Sequence, residues 1–104
     1  MIIKKQYTVL YLDNVKNFIQ ALPNEDQGKI KGAITAIESG DFKSLYIKTI
    51  KTPIKELIVK KYRFIFFFHQ TIAYFLKAFI KKTAKTPRKE IEYAEKTYKM
   101  IIGG

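Results

Sequence analysis

The chain has 104 residues, of which 47% are apolar and 14% aromatic, and it carries a formal net charge of +11. This composition is typical of one globular domain with a single core, and it excludes a disordered chain. The sequence has no cysteine, which excludes disulfides and thiolate chemistry. It has neither a signal-peptide pattern nor an apolar run long enough to span a bilayer, so we expect a soluble cytoplasmic protein.

The first half of the sequence predicts one strand and two helices. Tyr7–Leu12 is rich in β-branched and aromatic residues, which favours a strand. Asp13 can cap a helix that ends at Leu22, and a second helix is predicted from about Glu25 to Ser39. Each helix has one apolar face that we expect to pack on the core, formed by Val15, Phe18, Ile19 and Leu22 in the first and by Ile30, Ala33, Ile34 and Ile37 in the second. Residues 41–53 show no clear pattern and are predicted only as a connection.

Three apolar segments in the second half predict an antiparallel meander. They are Ile54–Val59, Tyr62–His69 and Ile72–Ile80, separated by two short polar turns. The second and third segments are apolar on both faces, which implies that both sides of the sheet are covered. A last helix is predicted from Pro87 to about Ile101. The order β-α-α-β-β-β-α, without repeats or linkers, indicates one small α+β domain over residues 1–104.

The junction between the last strand and the last helix concentrates positive charge. Thr86 is a good helix N-cap, and Pro87 is favoured at the position that follows. Five cations surround this junction: Lys81, Lys82, Lys85, Arg88 and Lys89. Because a helix N-terminus offers free N–H groups and the positive end of a dipole, we predict a phosphate-binding surface here.

The excess positive charge lies in one block of the sequence. Residues 48–89 contain twelve Lys and Arg but only one acid, Glu56, whereas the charges of the remaining residues balance. Such a block is typical of a domain that binds a polyanion, namely nucleic acid, anionic lipid or an acidic protein segment. The competing interpretation is a lysine-rich proteome that uses Lys only for solubility, but this does not explain the balance elsewhere.

Four short motifs in the second half of the chain form a family pattern. They are Lys55-Glu56-Leu57, Tyr62-Arg63-Phe64-Ile65-Phe66-Phe67, Phe79-Ile80-Lys81-Lys82-Thr83 followed by Lys85-Thr86-Pro87, and Glu90-Ile91 with Ala94. On these motifs the chain resembles the RelE/ParE superfamily of bacterial toxins, most closely the HigB-like, phage-derived branch of type II toxin–antitoxin systems. The Lys-Lys-Thr-x-Lys-Thr-Pro portion is the most specific part.

The resemblance implies both a fold and a function. The fold has two N-terminal helices packed on a twisted antiparallel sheet of about four strands, with a C-terminal helix. The function is that of a toxin, a ribosome-dependent endoribonuclease that cleaves mRNA and is neutralised by a cognate helix-turn-helix antitoxin. The resemblance implies neither a metal nor a small-molecule cofactor, and no membrane partner.

RNA cleavage through the 2′-OH needs proton-transfer groups and cations that stabilise a charged phosphorane. His69 is the single histidine, so a paired-histidine mechanism is excluded, and one His with scattered carboxylates gives no metal-ligand spacing. The candidate catalytic residues are Arg63, Lys81, Lys82 and Tyr98, and the candidate RNA contacts are Lys60, Lys61, Lys85, Arg88 and Lys89. Where the family has Glu-Leu-Arg this chain has Glu56-Leu57-Ile58, which removes one expected phosphate contact.

Each candidate also has a purely structural interpretation. Arg63 lies within an apolar strand, so it must either pair with an acid such as Glu56 or face the cleft. Lys81 and Lys82 point to opposite faces if the strand continues, so at most one of them lines the site. Tyr98 shares a helix face with apolar residues, which favours core packing, and the cations around the last turn could simply be solvated.

Two other functions agree with the sequence. The first is a ParE-like inhibitor of DNA gyrase. The second is a non-catalytic basic RNA-binding module, such as a degraded toxin. Binding to a membrane surface is disfavoured, because no segment combines a basic face with a strongly apolar exposed face.

Overall fold

The computed structural model describes residues 6–103, which form three helices and a five-stranded sheet. In chain order the elements are β1 (Thr8–Tyr11), α1 (Asp13–Gln20), α2 (Asn24–Glu38), β2 (Tyr46–Lys51), β3 (Ile54–Val59), β4 (Tyr62–His69), β5 (Ile72–Ile80) and α3 (Arg88–Gly103). The strand order is β1-β5-β4-β3-β2, in which β1 is parallel to β5 and every other neighbouring pair is antiparallel. The predicted α+β class, with two N-terminal helices and a C-terminal helix, is confirmed.

The central meander of β3, β4 and β5 has the residue boundaries predicted from the sequence. Its two tight turns each begin with a residue in the left-handed region, Lys60 with φ 54° and Gln70 with φ 56°. This conformation costs a residue other than glycine roughly 1–2 kcal/mol. The pairing of the long flanking strands, rather than the turn residues themselves, therefore determines where the hairpins close.

The sheet has one strand more than the sequence predicted. Residues 46–51, interpreted only as a connection, form β2 at the edge of the sheet, where they pair with β3. The apolar residues of β2 divide between the two faces, Ile47 packing on one core cluster and Ile50 on the other. Neither face therefore shows the alternation that identifies a strand. With the parallel strand β1 at the opposite edge, the sheet is five-stranded and mixed rather than four-stranded and antiparallel.

Helices cover both faces of the sheet, as the apolar character of β4 and β5 predicted. On the face covered by α1 and α2, the two helices pack on Leu57, Phe64, Phe66 and Phe75 through the residues predicted for their apolar faces, Val15, Ile30, Ala33, Ile34 and Ile37. On the opposite face, here called the α3 face, α3 packs through Ala94 on Ile54, Ile65, Phe67 and Leu76. Strand β4 contributes alternately to both clusters, which fixes the register of the strands beside it.

None of the helices within residues 6–103 combines the length and the apolar composition that crossing a bilayer requires. The last of them, α3, begins after a short basic segment that leaves the sheet at Lys81. The backbone N–H of Lys81 donates to the carbonyl of Lys61 at 3.0 Å, which extends the β4–β5 ladder by one step. The path from Lys81 to Arg88 then takes the chain onto the α3 face.

Candidate nucleic-acid interface

A row of four side chains crosses the α3 face from β2 to β5. Tyr46 is paired with Ile58, Ile58 with Arg63, and Arg63 with Phe79. Directly opposite residues of antiparallel strands lie on the same face, so this cross-strand row places one guanidinium between aliphatic and aromatic neighbours. Lys81, two residues after Phe79, lies on the same face as Arg63. The structure therefore brings together two of the predicted catalytic residues, Arg63 and Lys81.

Arg63 is held in place by backbone carbonyls and a carboxylate. Its Nη1 donates to the carbonyl oxygens of Lys60 at 2.9 Å and of Tyr62 at 3.0 Å. Its Nε lies 4.0 Å from Oε1 of Glu56, which makes the predicted pairing of these two residues an ion pair without a hydrogen bond. No protein acceptor within residues 6–103 is hydrogen-bonded to Nη2. That nitrogen is the part of Arg63 left for a ligand.

Glu56 is a fully buried carboxylate that joins three neighbouring segments. The hydroxyl of Thr86 donates to Oε2 at 2.6 Å, and Nζ of Lys48 lies 3.6 Å from Oε1. Burying a carboxylate is costly unless cations and donors surround it. Glu56 therefore connects β3 to Lys48 on β2, to Arg63 on β4 and to the segment that precedes α3.

The contacts of Thr86 differ from the predicted helix cap. Its hydroxyl donates to Glu56, and the carbonyl of Pro87 instead accepts the N–H groups of Glu90 at 3.0 Å and Ile91 at 3.3 Å. Sequence reasoning paired Glu56 only with Arg63. It missed Lys48 and Thr86 because their positions depend on the register of β2 and on the path of the basic segment.

The cations around the start of α3 form an exposed rim. Lys82 is exposed whereas Lys81 is half-buried, so the two neighbouring lysines differ in their surroundings. Lys85, Arg88 and Lys89 are also exposed. The Arg88 side chain is 92% exposed, and its Nε lies 3.4 Å from Oε1 of Glu92, a solvated pair that contributes little to stability.

Lys60 lies apart from the cross-strand row because it binds the first turn of α2. Its Nζ donates to Oδ1 of Asp26 at 2.7 Å, while the Tyr62 hydroxyl donates to Oδ2 at 2.5 Å. The hydrogen bond from Lys60, followed by that from Tyr62, holds the pKa of Asp26 below its ordinary value of 3.8. The same bond to Asp26 raises the pKa of Lys60. The neighbouring Lys61 is exposed, with its Nζ 5.7 Å from the centre of the Tyr62 ring.

Tyr98 also lies apart from Arg63. Its ring packs edge-on against Phe67, with the ring centres 4.8 Å apart, in the cluster between α3 and the sheet. Phe67 is four residues further along β4 than Arg63, a separation of about 13 Å. His69 is exposed at the end of β4. No group of three His, Asp or Glu side chains within the described part of the chain is placed to hold a metal ion.

The sheet is mixed, with two helices on one face, one on the other and a basic end to the α3 face, and this architecture defines a small basic α+β domain. The family model of phage-derived Gp49-like proteins matches residues 17–99, and the chain belongs to this family. The sequence-based resemblance to the phage-derived branch of the RelE/ParE superfamily is confirmed.

The fold is similar to that of one chain of a solved RelE–RelB complex. A chain of the archaeal RelE–RelB complex from Pyrococcus horikoshii OT3 has a TM-score of 0.63 at 15% sequence identity, over 76% of this chain and 99% of that chain. A chain of the toxin–antitoxin complex RelBE2 from Mycobacterium tuberculosis has a TM-score of 0.49 at 16% identity, over 73% and 99%. No curated protein matches the sequence.

Proposed function

We propose that this chain is the toxin of a type II toxin–antitoxin pair and that it cleaves mRNA on the ribosome in the cytoplasm. The observation that carries the proposal is the position of Arg63 and Lys81 on one face of a RelE-type sheet, with Nη2 of Arg63 free of protein acceptors within the described residues. The similarity to a chain of a RelE–RelB complex supports an antitoxin partner. We propose a helix-turn-helix antitoxin that covers this basic face.

The proposed reaction is attack of a ribose 2′-oxygen on the adjacent phosphorus. The new P–O2′ bond forms as the P–O5′ bond breaks, which leaves a 2′,3′-cyclic phosphate and a 5′-hydroxyl. Arg63 stabilises the negative charge that develops on the non-bridging oxygens. Lys81 is the proposed proton-transfer group: it delivers a proton to the departing O5′, while the proton of the attacking 2′-hydroxyl leaves to water. Glu56 is fully buried and therefore acts through Arg63 rather than on the substrate.

The proposal is tested by inducing the chain in cells and by mapping mRNA ends in a purified translation system with and without ribosomes. We expect growth arrest and cuts within codons only when ribosomes are present. Arg63→Ala and Lys81→Ala should each reduce cleavage by about 10²–10³-fold, the usual effect of removing one group that stabilises the transition state.

Lys82→Ala is the matched control, because Lys82 is the next residue after Lys81 but is exposed. It should retain most of the activity. Equal losses in the Lys81 and Lys82 variants would contradict the assigned site. Intact transcripts in ribosome-containing reactions would contradict the endonuclease function.

One observation favours a second candidate function, a non-catalytic RNA-binding module. Ile58, which replaces the arginine typical of the family, is the cross-strand neighbour of Arg63, so the site has one cation fewer at its centre. This candidate predicts salt-dependent RNA binding without growth arrest. An SOS response without mRNA cuts would instead support gyrase inhibition.

The antitoxin is tested separately. The chain encoded next to this one should co-purify with it and restore growth when both are expressed. A neighbouring chain that does neither would contradict the toxin–antitoxin assignment.

A further inference from the structure

Tyr46 differs from every other tyrosine in the described part of the chain. The other six contact an aromatic ring, a cation or a carboxylate: Tyr7, Tyr11, Tyr62, Tyr74, Tyr93 and Tyr98. Tyr46 makes no such contact within residues 6–103. It is 77% exposed, more than any other large apolar or aromatic side chain described. No contact of this kind within the described residues therefore involves the Tyr46 ring.

The position of Tyr46 relates it to the phosphate site. It begins the cross-strand row that continues through Ile58 to Arg63, so its ring lies on the same face as the guanidinium, two strands away. The backbones of Tyr46 and Arg63 are therefore two strand spacings apart, about 10 Å. Lys48, two residues further along β2, lies on the same face, and its side chain is 50% exposed. An aromatic ring, an aliphatic side chain and two cations thus share one surface.

We propose that Tyr46 is a stacking platform for an unpaired nucleobase of single-stranded RNA, with a nearby phosphate of the same strand on Arg63. This rests on the RNA-binding part of the proposed function and not on cleavage. Sequence-tolerant recognition of single strands combines aromatic rings that stack on bases with cations that follow the backbone. Ile58 lies between the two and offers an apolar surface to the intervening sugar.

The charge of this face favours RNA over a protein as the occupant. Glu56, the one acid in the block of residues 48–89, is fully buried and already surrounded by cations. The cations Lys48, Arg63 and Lys81 lie on the same face of the sheet as the exposed ring. A polyanion that also carries flat aromatic groups complements this combination, and single-stranded RNA has both properties.

The experiment measures binding of the full chain to fluorescein-labelled single-stranded RNA by anisotropy, over a series of salt concentrations. Tyr46→Ala should weaken binding about 5- to 150-fold, the usual range for loss of one base–aromatic stack. Tyr46→Phe should bind like the wild type, because the ring and not the hydroxyl stacks. Met100→Ala is the control, since Met100 is 72% exposed on α3, away from this row.

Two further measurements separate stacking from charge. The slope of log Kd against log salt should be unchanged in Tyr46→Ala, whereas Lys48→Ala should reduce it by about 0.7, the value for one phosphate contact of a single strand. An abasic oligonucleotide, which keeps the phosphates without the bases, should bind Tyr46→Ala and the wild type equally.

Three results would each overturn the proposal. Tyr46→Ala could bind RNA as tightly as the wild type, or it could lose as much affinity for the abasic strand as for the normal strand. The third is that the wild type does not bind RNA. A Tyr46→Ala variant that binds RNA normally but no longer retains the antitoxin would also overturn it, because Tyr46 would then serve a protein interface. If the wild type binds RNA with the expected Tyr46 dependence but cuts no mRNA, the stacking proposal stands and the endonuclease function fails.

Discussion

Replacing Glu56 with alanine should destabilise the protein more than any exposed charge change. Thr86 would lose a carboxylate acceptor at 2.6 Å, and Nε of Arg63 would remain buried without a counter-charge. A hydrogen bond to a charged group contributes about 1.5–3 kcal/mol, and breaking a buried ion pair costs about 3–5 kcal/mol. Arg63 keeps its two carbonyl acceptors and Lys48 is half-exposed, which limits the loss. We therefore expect a decrease of about 2–4 kcal/mol in the free energy of unfolding.

For a domain of this size, that decrease corresponds to a fall in Tm of about 10–25 °C, measurable by circular dichroism. The urea midpoint should fall with an unchanged slope. Glu56→Gln should lie between alanine and wild type, because the amide oxygen still accepts from Thr86. Glu92→Ala is the control, since its pair with Arg88 is exposed and contributes less than about 1 kcal/mol. If Glu56→Ala lowers the Tm no more than Glu92→Ala does, the role assigned to the buried carboxylate is refuted.

Three other substitutions test neighbouring features. The pKa of Asp26 is lowered from 3.8 by Lys60 and Tyr62, so the stability that Asp26 contributes is full above pH 3.8 and is lost as the pH falls through the folded-state pKa. The Tm should therefore fall more steeply in acid for the wild type than for Asp26→Asn. Parallel curves of Tm against pH would contradict this. Tyr98→Phe should keep both Tm and mRNA cleavage because the ring packs on Phe67, whereas lost cleavage at an unchanged Tm would support the catalytic role predicted from the sequence. Ile58→Arg should tighten RNA binding about tenfold, the effect of one charge-assisted contact. It should also lower the Tm, because the new arginine would repel its cross-strand neighbour Arg63. Unchanged RNA affinity would argue against a phosphate bound at this cross-strand row.

The strands that the sequence predicted correctly are those whose signal is local. β3, β4 and β5 are continuous apolar segments separated by two residues, so their boundaries follow from composition alone. β2 was not predicted because its two isoleucines pack on different core clusters, so the segment lacks the alternating pattern of a strand with one buried face. The parallel pairing of β1 also has no local signal, because its partner Ile72 lies far along the chain from Thr8.

The candidate site shows the same division between local and distant information. The motifs identified Arg63 and the lysines of the basic segment, which are close in sequence or on adjacent strands. The contacts of Glu56 with Lys48 and Thr86 were not predictable, because they join segments whose relative position depends on β2 and on the path into α3. Tyr46 was overlooked for the same reason, since nothing in its sequence neighbourhood places it in line with Arg63.

The parallel pairing of β1 with β5 determines the order in which a newly made chain can fold. The β3–β4–β5 meander needs only short loops, whereas β1 is an edge strand whose one neighbour, β5, is made more than 50 residues later. Lys81 and Thr86 are also made late, so the basic surface is incomplete until most of the chain has left the ribosome. We therefore expect the nascent chain to lack the proposed RNA-binding surface for most of its synthesis.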